Sequence, residues 1–226
     1  AGQAASDRAA WDSVLDRLPG LDPHLEEGGI SVAASPLADY DSALLQATIL
    51  ALARRVGCPV GPRRAERMFS LLRGASGSRV PLGDRWSAEL SFGRLRIYRT
   101  ESDCVPEPWP LQGAEGSGLW CRWQFRWEKG VAPARQERTG LSAWFTPEAM
   151  SIRGWSPGEK VKPLGGSGHR LIVRCFQDAR VPRSRRGCWP VVAQREAVLW
   201  VPGVCRSDAM IPPPGTEALR VDAQYA

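Results

Sequence analysis

Across the break from Gly74 to Ser78 the spacing of apolar residues in this chain changes from 3.6 to 2. One kind of element cannot satisfy both periods, so the chain divides into a helical part followed by a part built of strands. Before the break, Trp11, Val14, Leu15 and Leu18 fall at i, i+3, i+4 and i+7, which predicts an amphipathic helix over 6–18 ended by Pro19-Gly20. Asp39 or Asp41 can cap a second helix, on which Leu45, Ile49, Leu52 and Val56 share a face. A third starts near Pro62, places Ala65, Met68, Phe69 and Leu72 together, and stops at Gly74. These stripes read as helix-on-helix core.

After the break, Trp86, Ala88, Leu90 and Phe92 alternate with polar neighbours, Gly93 turns the chain, and Leu95 and Ile97 resume the alternation. A Pro-rich connection over 105–110 follows, extended by Gly113, Gly116 and Gly118. Leu119, Cys121, Trp123, Phe125 and Trp127 then predict one half-buried antiparallel strand, with Trp120, Arg122, Gln124, Arg126 and Glu128 on its other face. Its aromatic residues suit either a base-stacking platform or a packed core, and the core is the commoner use. A further short strand is expected over 141–145. The fold class expected is α+β: a helical unit over 1–75, a β-rich connecting region over 76–147, an antiparallel β-rich domain over 148–210 and a tail over 211–226.

The charge is unevenly placed. Between Ser151 and Arg206 stand eleven basic and three acidic residues, a surplus of +8 in a chain whose total is +6, so the rest carries −2. A local surplus of this kind points to a polyanion partner, because solubilising charge would be spread more evenly. With 43% hydrophobic and 24% charged residues the 226-residue chain is packed rather than disordered. The longest apolar run, 43–53, is interrupted by Gln46 and Thr48 and is too short for a bilayer. The first ten residues lack the apolar segment of a signal peptide and the chain starts at alanine, so a cytoplasmic and truncated or processed protein is expected. Six cysteines without a C-x-x-C pair, beside two histidines, argue against zinc and for reduced, buried thiols.

The basic segment also holds the motifs. Pro157-Gly158 is a turn pair, and Gly165, Gly166 and Gly168 form a loop whose backbone N–H groups can meet an oxyanion. A helix over about 169–178 is expected to follow, with Leu171, Ile172, Cys175 and Phe176 inward and Arg170, Arg174 and Gln177 outward. A glycine loop feeding a helix N-terminus would make a phosphate cradle, although no Walker loop is present. Val181-Pro182 stops that helix, Arg183, Arg185 and Arg186 lie beyond it, and 190–194 with 197–201 read as a closing hairpin.

These motifs resemble the C-terminal domain of the tRNA(Ile)-lysidine synthase family. The matching residues are Pro157-Gly158-Glu159-Lys160, Pro163-Leu164-Gly165 through Gly168, His169-Arg170, Phe176 with Asp178, Pro182 with Arg186, Pro190, and the stretch Val198 to Ser207. The stretch from Leu44 to Leu82 is similar to the family's substrate-recognition region. The family's S-G-G-x-D-S catalytic loop does not occur in these 226 residues. His169 departs from the family's usual lysine or arginine, which weakens one phosphate contact at neutral pH.

The resemblance implies the tRNA-recognition part of an ATP-dependent carbon–nitrogen ligase. Such an enzyme adenylates the wobble cytidine (position 34) of the CAU-anticodon isoleucine tRNA, and lysine then displaces AMP, which changes the codon read from AUG to AUA. It implies no cofactor in this chain, with ATP and Mg held by a catalytic domain outside it, and no activity for this chain alone. The expected partners are tRNA directly, and lysine and ATP through that other domain. No membrane is expected, and a homodimer is left open. It also implies a fold shared with a domain of the phenylalanyl-tRNA synthetase β subunit. The alternative is a non-catalytic, stand-alone tRNA-binding protein.

Nine of the eleven basic residues in the segment are arginine, whose planar fork suits RNA phosphates. The candidate phosphate contacts are Lys160, Lys162, Arg170, Arg174, Arg183 and Arg186, with Gln177 for a sugar or base edge. No catalytic or metal-ligating residue is expected. Asp178 reads as a helix-end or arginine-orienting carboxylate, Arg153 and Arg206 as partners for Glu or Asp, and Trp155, Trp189 and Trp200 as core. A hydrolase constellation and a helix-turn-helix or finger spacing are both absent from the pattern.

Overall fold

The computed structural model describes residues 10–11, 13–100 and 106–225. The chain forms two compact units, residues 1–102 with Pro182–Ser184, and residues 103–181 with 185–226.

In the first unit, helical residues 13–17 (α1) are followed by β1 (His24–Glu26), β2 (Gly29–Ala33), α2 (Ser35–Ala38), α3 (Ser42–Arg55), α4 (Pro62–Leu72), β3 (Ser78–Gly83), β4 (Trp86–Ser91) and β5 (Arg94–Arg99). Residues 6–9 of the first expected helix lie outside the described residues, and Val14 of its stripe is 43% exposed while Leu15 is buried. Asp41 starts α3 by accepting from the N–H groups of Ala43 and Leu44 at 2.9 and 2.8 Å. Its inward face is Leu45, Ile49 and Leu52, as expected. On α4 the buried face is Ala65, Met68 and Leu71, and Phe69 and Leu72 pack only at its margin.

The five strands form one antiparallel sheet in the order β1-β2-β5-β4-β3, so this unit is not purely helical. Strands β3 to β5, expected in a connecting region, pair in the same sheet as β1 and β2 and share one core with the helices. Strands β3–β4 and β4–β5 are joined by two-residue loops, Asp84-Arg85 and Phe92-Gly93, in which all four residues have positive φ. Such turns match the right-handed twist of the flanking strands.

In the second unit, β6 (Trp109–Leu111), β10 (Met150–Gly154), β13 (Pro190–Gln194), β14 (Ala197–Val201) and β15 (Cys205–Arg206) form a five-stranded antiparallel sheet in the order β15-β14-β13-β10-β6. A four-stranded sheet has the order β7-β8-β16-β9, built from β7 (Glu115–Trp120), β8 (Trp123–Val131), β16 (Glu217–Tyr225) and β9 (Ser142–Phe145). The two sheets share a core in which Trp120, Trp123, Phe125, Trp127, Phe145, Ile152, Trp200 and Val221 are buried. A second cluster, Val161, Ile172, Cys175, Phe176, Val191, Val201 and Cys205 among it, packs α5 (Ile172–Asp178) and β11 (Lys160–Val161) against β13 and β14. Strands β13 and β14 are thus covered on both faces, which is why they read as nearly continuous apolar runs.

Two expectations are corrected here. The single strand through 119–128 is two strands of a hairpin, with Trp120 paired to Trp123 and the chain turning at Cys121-Arg122. The turn exchanges the faces: Trp120 is buried and Leu119 is 63% exposed. The tail over 211–226 contains β16, a nine-residue central strand pairing with β8 along its whole length and with β9 on its other edge. The aromatic residues of β8 are core and not a stacking platform.

Candidate nucleic-acid interface

The basic segment surrounds a groove of about 640 Å³ in the second unit, lined by Arg138, Thr139, the 163–168 loop, His169, Arg170, Asp178, Val204 and the two thiols Cys175 and Cys205. The turn at Pro157-Gly158 sets its approach. Glu159 accepts from Arg153 Nη2 and from the Ser156 N–H, both at 2.6 Å, so this carboxylate ties down the turn, and Arg153 has the acidic partner expected of it. Strand β11 then pairs with β12 (Arg170–Leu171), Lys160 opposite Leu171 and Val161 opposite Arg170.

That pairing changes the expected cradle. Helix α5 begins at Ile172, whose N–H donates to the Glu159 carbonyl at 3.0 Å, and β12 stands between the glycine loop and the helix. Within the loop, the Leu164 N–H donates to the Arg206 carbonyl at 2.7 Å and the Gly166 N–H to the Pro163 carbonyl at 2.8 Å. Two loop amides are therefore spent on the fold.

Among the seven residues expected to contact RNA, Arg170 lies at the groove, where it pairs with Asp178 at 2.5 Å, both half exposed. Asp178 thus orients an arginine, as expected. Arg174 and Gln177 are exposed on α5, one turn apart, with Arg174 Nη1 donating to Gln177 Oε1 at 3.0 Å. Lys160 is exposed on β11, and Lys162 pairs with Asp208 at 2.6 Å. Exposed pairs of this kind contribute roughly 0–1 kcal/mol each, so a phosphate can compete for the same cations. Arg183 belongs to the first unit and donates to the Gly77 carbonyl at 3.4 Å.

Arg186 is placed differently from the expectation. It is 6% exposed, lies 5.5 Å from the Phe176 ring, and donates from Nε and Nη2 to the Val181 carbonyl at 3.0 and 2.6 Å. Its carbonyl accepts from Trp155 Nε1 at 2.6 Å. This arginine closes the end of α5 from inside. Arg206 is likewise internal; its hydrogen-bond partners are backbone carbonyls, and the charge of Asp208 acts on it. Trp200 is fully buried between the two sheets, Trp189 packs on both clusters, and Trp155 packs on the cluster around α5.

Arg138 is a groove residue the sequence reading missed. It sits outside any strand or helix, and its backbone carbonyl accepts from the Arg206 N–H at 2.8 Å. Its guanidinium lies so close to Gly165 that a Cβ there would come within 2.7 Å of Nη2, and Gly165 has a φ of +74°. Glycine at 165 therefore serves both the turn and the approach of this arginine. A lone arginine in a loop 25 residues upstream carries no sequence signal that would place it here.

Other features bear on what the chain can be. Among the described residues no helix is long and apolar enough to cross a membrane, and no three His, Cys, Asp or Glu residues gather as metal ligands.

Residues 150–223 match the family model of the TilS substrate C-terminal domain. The chain is 27% identical over 214 residues to a tRNA(Ile)-lysidine synthase of Symbiobacterium thermophilum, covering 82% of this chain and 44% of that protein. It is 26% identical over 207 residues to one of Alkalilimnicola ehrlichii, covering 88% and 44%. A third, of Geobacter sulfurreducens, is 32% identical over 93 residues, covering 39% and 20%. The chain thus spans under half the length of these relatives. A crystal structure of a TilS C-terminal domain aligns with a TM-score of 0.40 at 22% identity, covering 53% of this chain and 91% of that one. Over most of its length the chain is similar to tRNA(Ile)-lysidine synthases, and over 150–223 it matches the model of the TilS substrate C-terminal domain.

Proposed function

We propose that this chain is the tRNA-recognising part of a tRNA(Ile)-lysidine synthase. It grips the phosphate backbone of the CAU-anticodon isoleucine tRNA while a catalytic domain outside these residues ligates lysine to cytidine 34 with ATP. The observation that carries this reading is the coincidence of the domain match over 150–223 with a groove bordered by Arg138, His169 and Arg170. RNA helices are recognised through phosphates and 2′-hydroxyls, and guanidinium groups around a groove suit that task. Lys160, Lys162, Arg174 and Gln177 extend the proposed surface, and Arg183, in the first unit, is proposed as a phosphate contact of its own. Arg186 is left out of it.

Nothing in the 226 residues supplies the S-G-G-x-D-S loop for ATP and Mg, so no chemical step is assigned to these side chains, and the chain alone is proposed to be inactive. The cytoplasm is the proposed location, where such a tRNA is found.

The test is fluorescence anisotropy with a labelled isoleucine tRNA transcript, comparing the native chain with Arg138→Ala/Arg170→Ala. The reading expects weaker binding of every tRNA and a salt dependence shallower by about 2 in log–log slope, because two phosphate contacts are lost. Unchanged affinity with an unchanged melting temperature would overturn the assignment of the groove.

A further inference from the structure

Cys175 projects from α5 and Cys205 from β15, and both line the inner wall of the groove. They belong to the same apolar cluster, are 5% and 6% exposed, and are not joined by a disulfide. Both line the same groove as Arg170, whose charge acts on both thiols. Two thiols of one apolar cluster at the wall of one open groove differ from a lone buried cysteine, because an oxidant entering the groove has a nucleophile and a resolving partner within the same wall.

We propose that Cys175 and Cys205 are a redox-active dithiol that takes a small peroxide, hydrogen peroxide in the simplest case, and closes into an intramolecular disulfide. The interaction with Cys205 and the charge of Arg170 hold the Cys175 thiol below the ordinary thiol range, while the interaction with Cys175 and burial push Cys205 up. In the proposed sequence Cys175 is the nucleophile and Cys205 the resolving thiol.

In the first step the Cys175 thiolate attacks one peroxide oxygen. A sulfur–oxygen bond forms, the oxygen–oxygen bond breaks, and the departing hydroxide takes a proton to leave as water. In the second, the Cys205 sulfur attacks the Cys175 sulfenic acid. The sulfur–sulfur bond forms, the sulfur–oxygen bond breaks, and the Cys205 proton leaves with the hydroxide as a second water. The two sulfurs give up two electrons and the peroxide accepts them. This proposal does not depend on tRNA binding.

Cys58 is an internal control. It is also buried, at 4% exposure, but in the core of the first unit, where burial pushes its thiol up to about 12. The native chain would be treated with hydrogen peroxide, alkylated and digested with trypsin. Cys175, Cys188 and Cys205 fall on three different tryptic peptides, so each is read separately.

The expected result is a peptide pair linked through Cys175 and Cys205, with Cys175 lost to alkylation roughly tenfold or more faster than Cys58. In Cys205→Ser, the Cys175 sulfenic acid is expected to persist and be captured by dimedone. Oxidation of Cys58 as fast as Cys175, oxidation of Cys175 without the linked pair, or no oxidation of either would overturn the proposal. The comparison within the native chain stands even if a variant fails to fold.

Discussion

Replacing Arg206 with methionine removes a side chain that is 1% exposed and holds five carbonyl groups at once. Nη1 donates to Leu199, Ser207 and Ala209 at 2.8 to 2.9 Å, and Nη2 to Trp144 and Met210 at 3.1 to 3.2 Å. The guanidinium also lies 4.3 Å from the Phe145 ring centroid. Hydrogen bonds from a charged donor contribute about 1.5–3 kcal/mol each, and the two terminal nitrogens carry four hydrogens between them, so the five contacts contribute about 6 kcal/mol at the low end. Against this, burial pulls the Arg206 pKa down to about 10, a desolvation cost of about 3 kcal/mol. The difference predicts that Arg206→Met destabilises the second unit by about 3 kcal/mol, at the upper end of what most single substitutions cost. Methionine keeps the apolar contact with Phe145, so the loss reports the carbonyl contacts.

The assay is urea unfolding followed by tryptophan fluorescence. Eight of the ten tryptophans lie in the second unit, so the signal is mostly from the unit being perturbed. Arg206→Lys, with three donors on a flexible stem, is expected to recover part of the loss. A loss under about 1 kcal/mol for methionine would refute the reasoning, because the buried carbonyls would then have found other partners.

Two further substitutions test the packing. A Cβ at Gly118 would stand 2.2 Å from the Trp109 ring, so Gly118→Ala is expected to cost about 1–3 kcal/mol by the same assay, and a neutral change would mean that the indole moves freely. Arg85 sits in the β3–β4 turn at a φ of 66° with an exposed side chain, so Arg85→Gly is expected to raise stability by about 0.5–1 kcal/mol, and a fall in melting temperature would contradict the turn assignment.

The parts of this fold that were legible in the sequence are those where local pattern and tertiary role coincide. Asp41 caps α3 as its position suggests, β4 and β5 follow the alternation of Trp86 to Ile97, and β13 and β14 appear as the expected hairpin. Strand β7 was hidden because Glu115 to Trp120 is rich in glycine, a poor strand former. Its glycines make sense only in three dimensions, where a Cβ at Gly116 would strike Trp127 and one at Gly118 would strike Trp109. Strand β16 does alternate, with Val221 and Ala223 inward and Arg220, Asp222 and Gln224 turned the other way, but small and charged residues make that signal faint.

The candidate site was legible as a charged segment and less so residue by residue. Arg170 and Arg186 look alike in sequence, yet one borders a groove and the other is closed inside the fold, because burial depends on what packs over a side chain and not on its type. Arg138 reaches the groove only because the loop before β9 folds back on Gly165.

The most direct test of the central claim is the affinity of this chain for an isoleucine tRNA transcript measured over a series of salt concentrations. If about five phosphates are neutralised, log K against log salt should fall with a slope near −3 to −5. A flat response would contradict the claim that the chain holds tRNA by its backbone.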